Sequence, residues 1–132
     1  YLKMADANGA EYARMLRVIA DTDGLSIVHC MAGKDRTGIV CALLLLLLGV
    51  DESDVVADYQ ISETHLTYHI MGGFATDTPD MPKYLSRSDP ENMRMLIVHL
   101  KEAYGGAEAY LRKNGLDDQT IARLRERMVV SD

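Results

Sequence analysis

Cysteine, proline, positive charge and long apolar runs are all scarce in this 132-residue chain. There are two cysteines, Cys30 and Cys41. With Cys41 on a helix that follows the loop holding Cys30, the two stand well over ~7 Å apart, too far to bridge. No secreted disulfide framework is readable, so a reducing, cytoplasmic setting is the expectation, with secretion to act on a host left open. Cys41 itself reads as a small buried apolar residue. The longest apolar run, Ile39 to Val50, has 12 residues. A membrane span needs about 18, so this run predicts a core helix and no stable membrane insertion. No signal peptide is visible, and a chain opening on Tyr1 suggests that its true start has been removed. Fourteen Lys and Arg stand against 20 Asp and Glu, for a net charge of −6 and a pI near 5.1. Nucleic acid and anionic membrane are thereby disfavoured as partners. An anionic substrate would have to be drawn in by a local positive site.

What is present is an ordinary globular balance, 48% apolar and 26% charged, enough for one domain over residues 1–132. Tyr12, Met15, Leu16 and Ile19 recur at the spacing of one helical face and predict a helix over 3–20. Asp21 to Gly24 then reads as a turn. Leu25 to His29, short and rich in β-branched residues, reads as a strand lying inside a sheet. A central helix, apolar on every side, follows from about Arg36 to Leu48, with Gly49 as a left-handed stop. Asp51, with Asp54 three positions on, caps a helix through Leu66 that carries Asp58-Tyr59.

All three prolines lie within 72–90, the least regular stretch and a candidate lid. Asp89-Pro90-Glu91 is a helix start. The helix it opens presents Met93, Ile97, Leu100 and Tyr104 on one face and stops at Gly105-Gly106. Two short helices follow, over 107–114 and 118–128, and the charges of the last read as a solvated face. One strand cannot form a sheet, so this inventory suggests the helix-rich C-terminal part of a larger α/β domain.

The chemistry concentrates in His29-Cys30-Met31-Ala32-Gly33-Lys34-Asp35-Arg36-Thr37. Between a strand and a helix, the N–H groups of such a loop lack sheet partners, and the helix N-terminus adds its own donors and partial positive charge. That concavity suits a tetrahedral oxyanion. Gly33 permits the tight turn. Arg36 can fork onto two phosphoryl oxygens. Cys30, at the base, would be held as a nucleophilic thiolate by the same donors. His29 reads as an orienting residue, and Thr37 is placed to donate its hydroxyl toward the sulfur.

The constellation His29, Cys30, Gly33, Arg36, Thr37 resembles the His-Cys-x5-Arg-Ser/Thr signature of the cysteine-dependent protein-tyrosine phosphatase superfamily. More narrowly, the Gly-Lys-Asp-Arg-Thr loop, the leucine-rich helix, Asp58-Tyr59 and the later segment 104–116 are similar to bacterial-type tyrosine and phosphoinositide phosphatases. The resemblance implies the helix-rich C-terminal portion of a three-layer α/β phosphatase fold. It also implies a metal-free, cofactor-free two-step phosphoryl transfer through a cysteinyl-phosphate on Cys30. Residues 31–36 and Arg36 would bind phosphate, with a phosphotyrosine protein or a phosphoinositide as substrate. In the Gly-Lys-Asp-Arg-Thr group the loop aspartate is the general acid, which maps to Asp35. Asp77 or Asp80 on the candidate lid, or a residue upstream, are the competitors. Lys34 has two readings, pairing with a ring phosphate or simply being solvated.

Other residues keep blander readings: His65 and His69 as surface or core-edge groups, Asp58-Tyr59 as packing, and the histidines together without a metal pattern. Two other functions compete. One is a phosphate-binding module without turnover. The other is a sulfur transferase or arsenate reductase, disfavoured by loop spacing and by the want of a second accessible cysteine.

Overall fold

A computed structural model describes residues 1–66 and 87–129; His69 and residues 72–86 of the candidate lid, with Asp77 and Asp80, fall outside the described residues. Six helices occupy the described part: α1 (Leu2–Asp21), α2 (Asp35–Leu47), α3 (Glu52–Leu66), α4 (Pro90–Tyr104), α5 (Ala107–Lys113) and α6 (Asp118–Met128). α2 packs against α1, α3 and α5, while α1 also meets α4, α5 and α6.

The helix boundaries follow from local chemistry. Asp89 accepts a hydrogen bond from the Glu91 N–H at 3.0 Å, and Pro90 opens α4, as the sequence predicts. Asp117 does the same for α6, accepting from the Thr120 N–H at 2.7 Å. α2 ends in a Schellman arrangement. Gly49, at φ +86°, donates to the Leu46 carbonyl, and Val50 donates to that of Leu45.

The core is built from Leu16 of α1, Leu43 of α2, Leu96 and Leu100 of α4, Tyr110 of α5 and Leu124 of α6, all fully buried. Each large aliphatic group so buried contributes roughly 1.5–3 kcal/mol relative to exposure. Tyr110 also spends its hydroxyl internally, donating to the Ala5 carbonyl at 2.6 Å. α1 kinks at Asn8, and the adjacent Gly9 lets α1 approach Asn114. A β-carbon at residue 9 would stand 2.2 Å from Asn114 Oδ1.

The α6 charges are not simply a solvated face. Arg127 donates to the carbonyls of Ile19, Thr22 and Gly24, capping the end of α1 and holding the turn after it. Arg125 reaches the Leu47 carbonyl at the end of α2 and the Glu108 carboxylate. Arg123 pairs with Asp21 at 2.9 Å. Cations at helix C-termini satisfy orphan carbonyls and oppose the negative end of the dipole.

Two expectations need correction. Leu25–His29 forms no strand among the described residues, and Leu25 and Ile27 are 86% and 80% exposed instead of buried. A strand exists only as a partner in a hydrogen-bonded ladder, and the described residues contain no second strand to pair with it. The same bareness extends to α1, where Met15 and Val18 with Ile27 line an open groove of about 390 Å³. α2 is central but not covered all round. Ile39, Val40, Ala42, Leu43 and Leu47 are buried, whereas Leu44, Leu45 and Leu46 are only partly so. No helix among the described residues is long and apolar enough to cross a membrane.

Candidate active site

Residues 29–37 run from the irregular segment 25–28 over a series of bends into the first turn of α2. Gly33 has φ +68°, a conformation that the β-carbon of another residue would strain, and nothing lies within 4 Å of where that atom would sit. The loop therefore turns tightly at Gly33 over open space, with its amides directed inward to Cys30.

Cys30 is half-buried. Burial alone would push its thiol up. It is outweighed by donors to the sulfur: the Thr37 hydroxyl and the backbone N–H groups of Thr37, Gly33 and Lys34. Together they pull the thiol from an ordinary 9.0 down to about 6, so the thiolate is the prevailing form at neutral pH. The Thr37 hydroxyl is buried and committed to no other group among the described residues, so it is available to the sulfur. Three amides and one hydroxyl converging on a sulfur at a helix N-terminus can hold a negative charge there and, beside it, an anion.

Arg36 is exposed and makes no hydrogen bond or ion pair with another described residue. Its five N–H donors are uncommitted. Its positive charge nonetheless acts on the buried Tyr12 of α1, opposing the rise that burial imposes on that phenol; the Cys30 charge adds to the rise. Tyr12 was legible only as a core residue. Its hydroxyl, buried and without a hydrogen-bond partner, lies within electrostatic reach of both loop charges. No periodicity could have signalled that.

The remaining loop residues divide. Met31 is 97% exposed and Ala32 half-buried, so position 31 offers an apolar side chain at the rim. His29 is exposed, and its Nδ1 approaches the Cys30 carbonyl at 3.4 Å, next to the loop and not at the sulfur. Lys34 corrects its solvated reading. It is 5% exposed, donating to the Arg87 carbonyl at 3.0 Å with Asp35 Oδ1 at 3.5 Å. Its ammonium ties the loop to the lead-in of α4.

Asp35, the first residue of α2, is bonded to a neighbour that the sequence did not associate with it. The Tyr1 hydroxyl donates to its Oδ1 at 2.7 Å, and the same hydroxyl lies 2.5 Å from that of Tyr59. Tyr59 is buried against Gly38 of α2. The packing role expected of Asp58-Tyr59 is thus present for the tyrosine, with a polar link added.

Among the histidines, His65 is exposed near the end of α3, and His99 bonds Asp6 at 2.8 Å. Among the described residues no group of three or more His, Cys, Asp or Glu is placed to hold a metal ion.

Residues 1–130 match the model of a tyrosine phosphatase family. A tyrosine-protein phosphatase of Nostoc commune is 32% identical over 127 residues, covering 85% of this chain and 42% of that protein. The triple specificity protein phosphatase PtpB of Mycobacterium tuberculosis is 31% identical over 143 aligned residues, covering 95% of this chain and 51% of its own length. The chain thus spans about half the length of the curated relatives it matches.

Proposed function

The chain belongs to the tyrosine phosphatase family, within the cysteine-dependent superfamily, and on that premise we propose that it hydrolyses phosphotyrosine through a cysteinyl-phosphate on Cys30. The observation that carries the reading is the sulfur itself, ringed by the N–H groups of Gly33, Lys34 and Thr37 and drawn to a pKa of about 6.

In the first step the Cys30 thiolate attacks phosphorus in line. The S–P bond forms as the P–O bond to the tyrosyl oxygen breaks. The equatorial oxygens are held by the loop amides of residues 31–36 and by the Arg36 guanidinium, whose donors are otherwise uncommitted. The departing phenolate oxygen takes a proton from Asp35, the proposed acid. In the second step water attacks phosphorus and gives its proton to the Asp35 carboxylate. The S–P bond breaks, and the sulfur leaves as a thiolate stabilised by the Thr37 hydroxyl. Inorganic phosphate departs and the enzyme is restored.

The relative PtpB is named for triple specificity, which favours testing phosphoserine, phosphothreonine and phosphoinositide beside phosphotyrosine. The lipid arm draws little from Lys34, because its ammonium is buried and bonded to the Arg87 carbonyl. As for the fold, the bare Leu25 and Ile27 favour a place for segment 25–29 in a sheet whose other strands lie outside the described residues, giving the three-layer α/β arrangement.

The test is release of phosphate from a phosphotyrosine peptide by the full-length protein, without added metal, against Cys30→Ser. Turnover lost in the variant supports the reading, and turnover retained overturns it. Binding of the phosphopeptide by wild type without release would favour the non-hydrolytic binding module.

A further inference from the structure

Asp35 stands at the exposed start of a helix, its side chain 42% open to solvent. A short carboxylate in such a position has several competing partners, its own helix's first N–H groups among them. An acid must nonetheless meet the leaving oxygen in one geometry while protonated, and water in the same geometry while ionised. Something has to hold it through both states.

We propose that Tyr1 and Tyr59 are positioning residues for Asp35, holding its carboxyl through a chain of hydroxyls that can serve either protonation state. The inference rests on the reading of Asp35 as the acid. Tyr1, at the head of α1, donates to Asp35 Oδ1 at 2.7 Å. Since Tyr1 has one proton and spends it there, the 2.5 Å contact with Tyr59 must use the Tyr59 proton, donated to the Tyr1 oxygen. The Asn92 side chain of α4 in turn bonds the Tyr59 hydroxyl. The two rings meet edge to face, with centroids 5.6 Å apart and planes at 81°. Four helices thus converge on one carboxyl.

A hydroxyl both donates and accepts, whereas an ammonium only donates. Lys34, 3.5 Å from the same Oδ1, can therefore favour only the ionised carboxylate. The tyrosine chain can reverse. When Asp35 carries the proton it donates to the Tyr1 oxygen, and Tyr1 turns its own proton to the Tyr59 oxygen. The heavy atoms need not move. Burial, and the bond that Tyr1 donates to the Asp35 carboxylate, push the Tyr1 phenol far above the ordinary tyrosine range, so this hydroxyl keeps its proton throughout the working pH range. The groups facing this carboxyl or its chain are Lys34 of the loop, Tyr1 of α1, Tyr59 of α3, and Asp89 and Asn92 at the start of α4, with the Cys30 thiolate in the same loop.

The experiment measures kcat against pH for full-length wild type, Tyr1→Phe, Tyr59→Phe and Asp35→Asn. Each is assayed with a phosphotyrosine peptide, whose leaving group needs a proton, and with p-nitrophenyl phosphate, whose leaving group needs it much less. Because the chain serves both states of the carboxyl, Tyr1→Phe loosens it in both, and the loss is read in kcat. In Tyr1→Phe the phosphotyrosine kcat falls about tenfold, a part of the 10²-fold or more that loss of an acid costs. KM changes little, p-nitrophenyl phosphate turnover falls less, and Tyr59→Phe gives a smaller change in the same direction. If Asp35→Asn abolishes the alkaline limb while both phenylalanine variants keep the wild-type kcat and substrate ratio, the positioning role is overturned and the acid stands. If Asp35→Asn keeps the limb, the acid reading falls and takes this inference with it. Should Tyr59→Phe fail to fold, Tyr1→Phe, at a less buried position, decides alone.

Discussion

Tyr59 stands so close to Gly38 that a β-carbon at residue 38 would lie 3.1 Å from its Cδ2. Alanine is normally the better helix residue by about 1 kcal/mol. Here the ring cannot withdraw without stretching the bond that its hydroxyl makes to Tyr1. Gly38→Ala is therefore expected to lower the melting temperature despite the propensity gain, and to lower phosphotyrosine turnover. Thermal melts and kcat on the one variant check both effects.

The thiol of Cys30 is expected to titrate far below an ordinary cysteine. Its alkylation by iodoacetamide should rise with pH through a midpoint near 6, not near 9.0. Thr37→Val removes the hydroxyl that stabilises the thiolate, so the midpoint should move upward. A Thr37→Val midpoint equal to wild type would mean that the backbone amides suffice.

Arg36 offers uncommitted donors beside a proposed transition state whose charge is spread over three oxygens. Arg36→Lys keeps the charge and loses the fork, and should cost about 10²-fold or more in kcat/KM, in the range of a deleted oxyanion donor. Vanadate affinity should fall with it.

Gly9→Ala drives a methyl group into Asn114, whose amide is anchored by a 2.8 Å bond to the Tyr110 carbonyl. The expected loss is about 1–3 kcal/mol, typical of forced overpacking. Asn114→Ala in the same chain should recover part of it. A double-mutant cycle in denaturant measures the coupling.

Asp6 accepts from His99 and Tyr104, and the His99 bond, then the Tyr104 bond, lower its carboxyl below the usual value of 3.8. A depressed folded-state value means stability present above the unfolded value and lost as pH falls through the folded one. Asp6→Asn should therefore flatten the fall in melting temperature below about pH 4. The effect will be small, because the site is open to solvent.

Much of this was readable from local pattern. The α4 start at Asp89-Pro90, the Gly49 stop and the α2 boundaries depend on neighbours within a few residues, and sequence displays such neighbours directly. The Cys30-to-Thr37 loop was legible for the same reason: its donors lie within seven positions of the sulfur. The contact of Tyr1 with Asp35 spans 34 residues, and that with Tyr59 spans 58. Neither follows from any period, since helix packing alone brings them together. The solvated reading of Lys34, one of its two, rests on charge usually being exposed. Its burial depends on a carbonyl 53 residues away. The strand at 25–29 was read from composition, which reports a liking for sheet and cannot supply the partner that makes one.

The hexapeptide from Leu25 to Cys30 begins with two naked aliphatic side chains and finishes at the sulfur. An uncovered greasy ribbon is adhesive, and whatever grips it also sets the angle at which the backbone delivers residue 30 to its ring of amides. Solubility and turnover would then share one handle. A partner strand that improved colloidal behaviour should tighten the nucleophile's aim as well, and a mismatched one should blunt both.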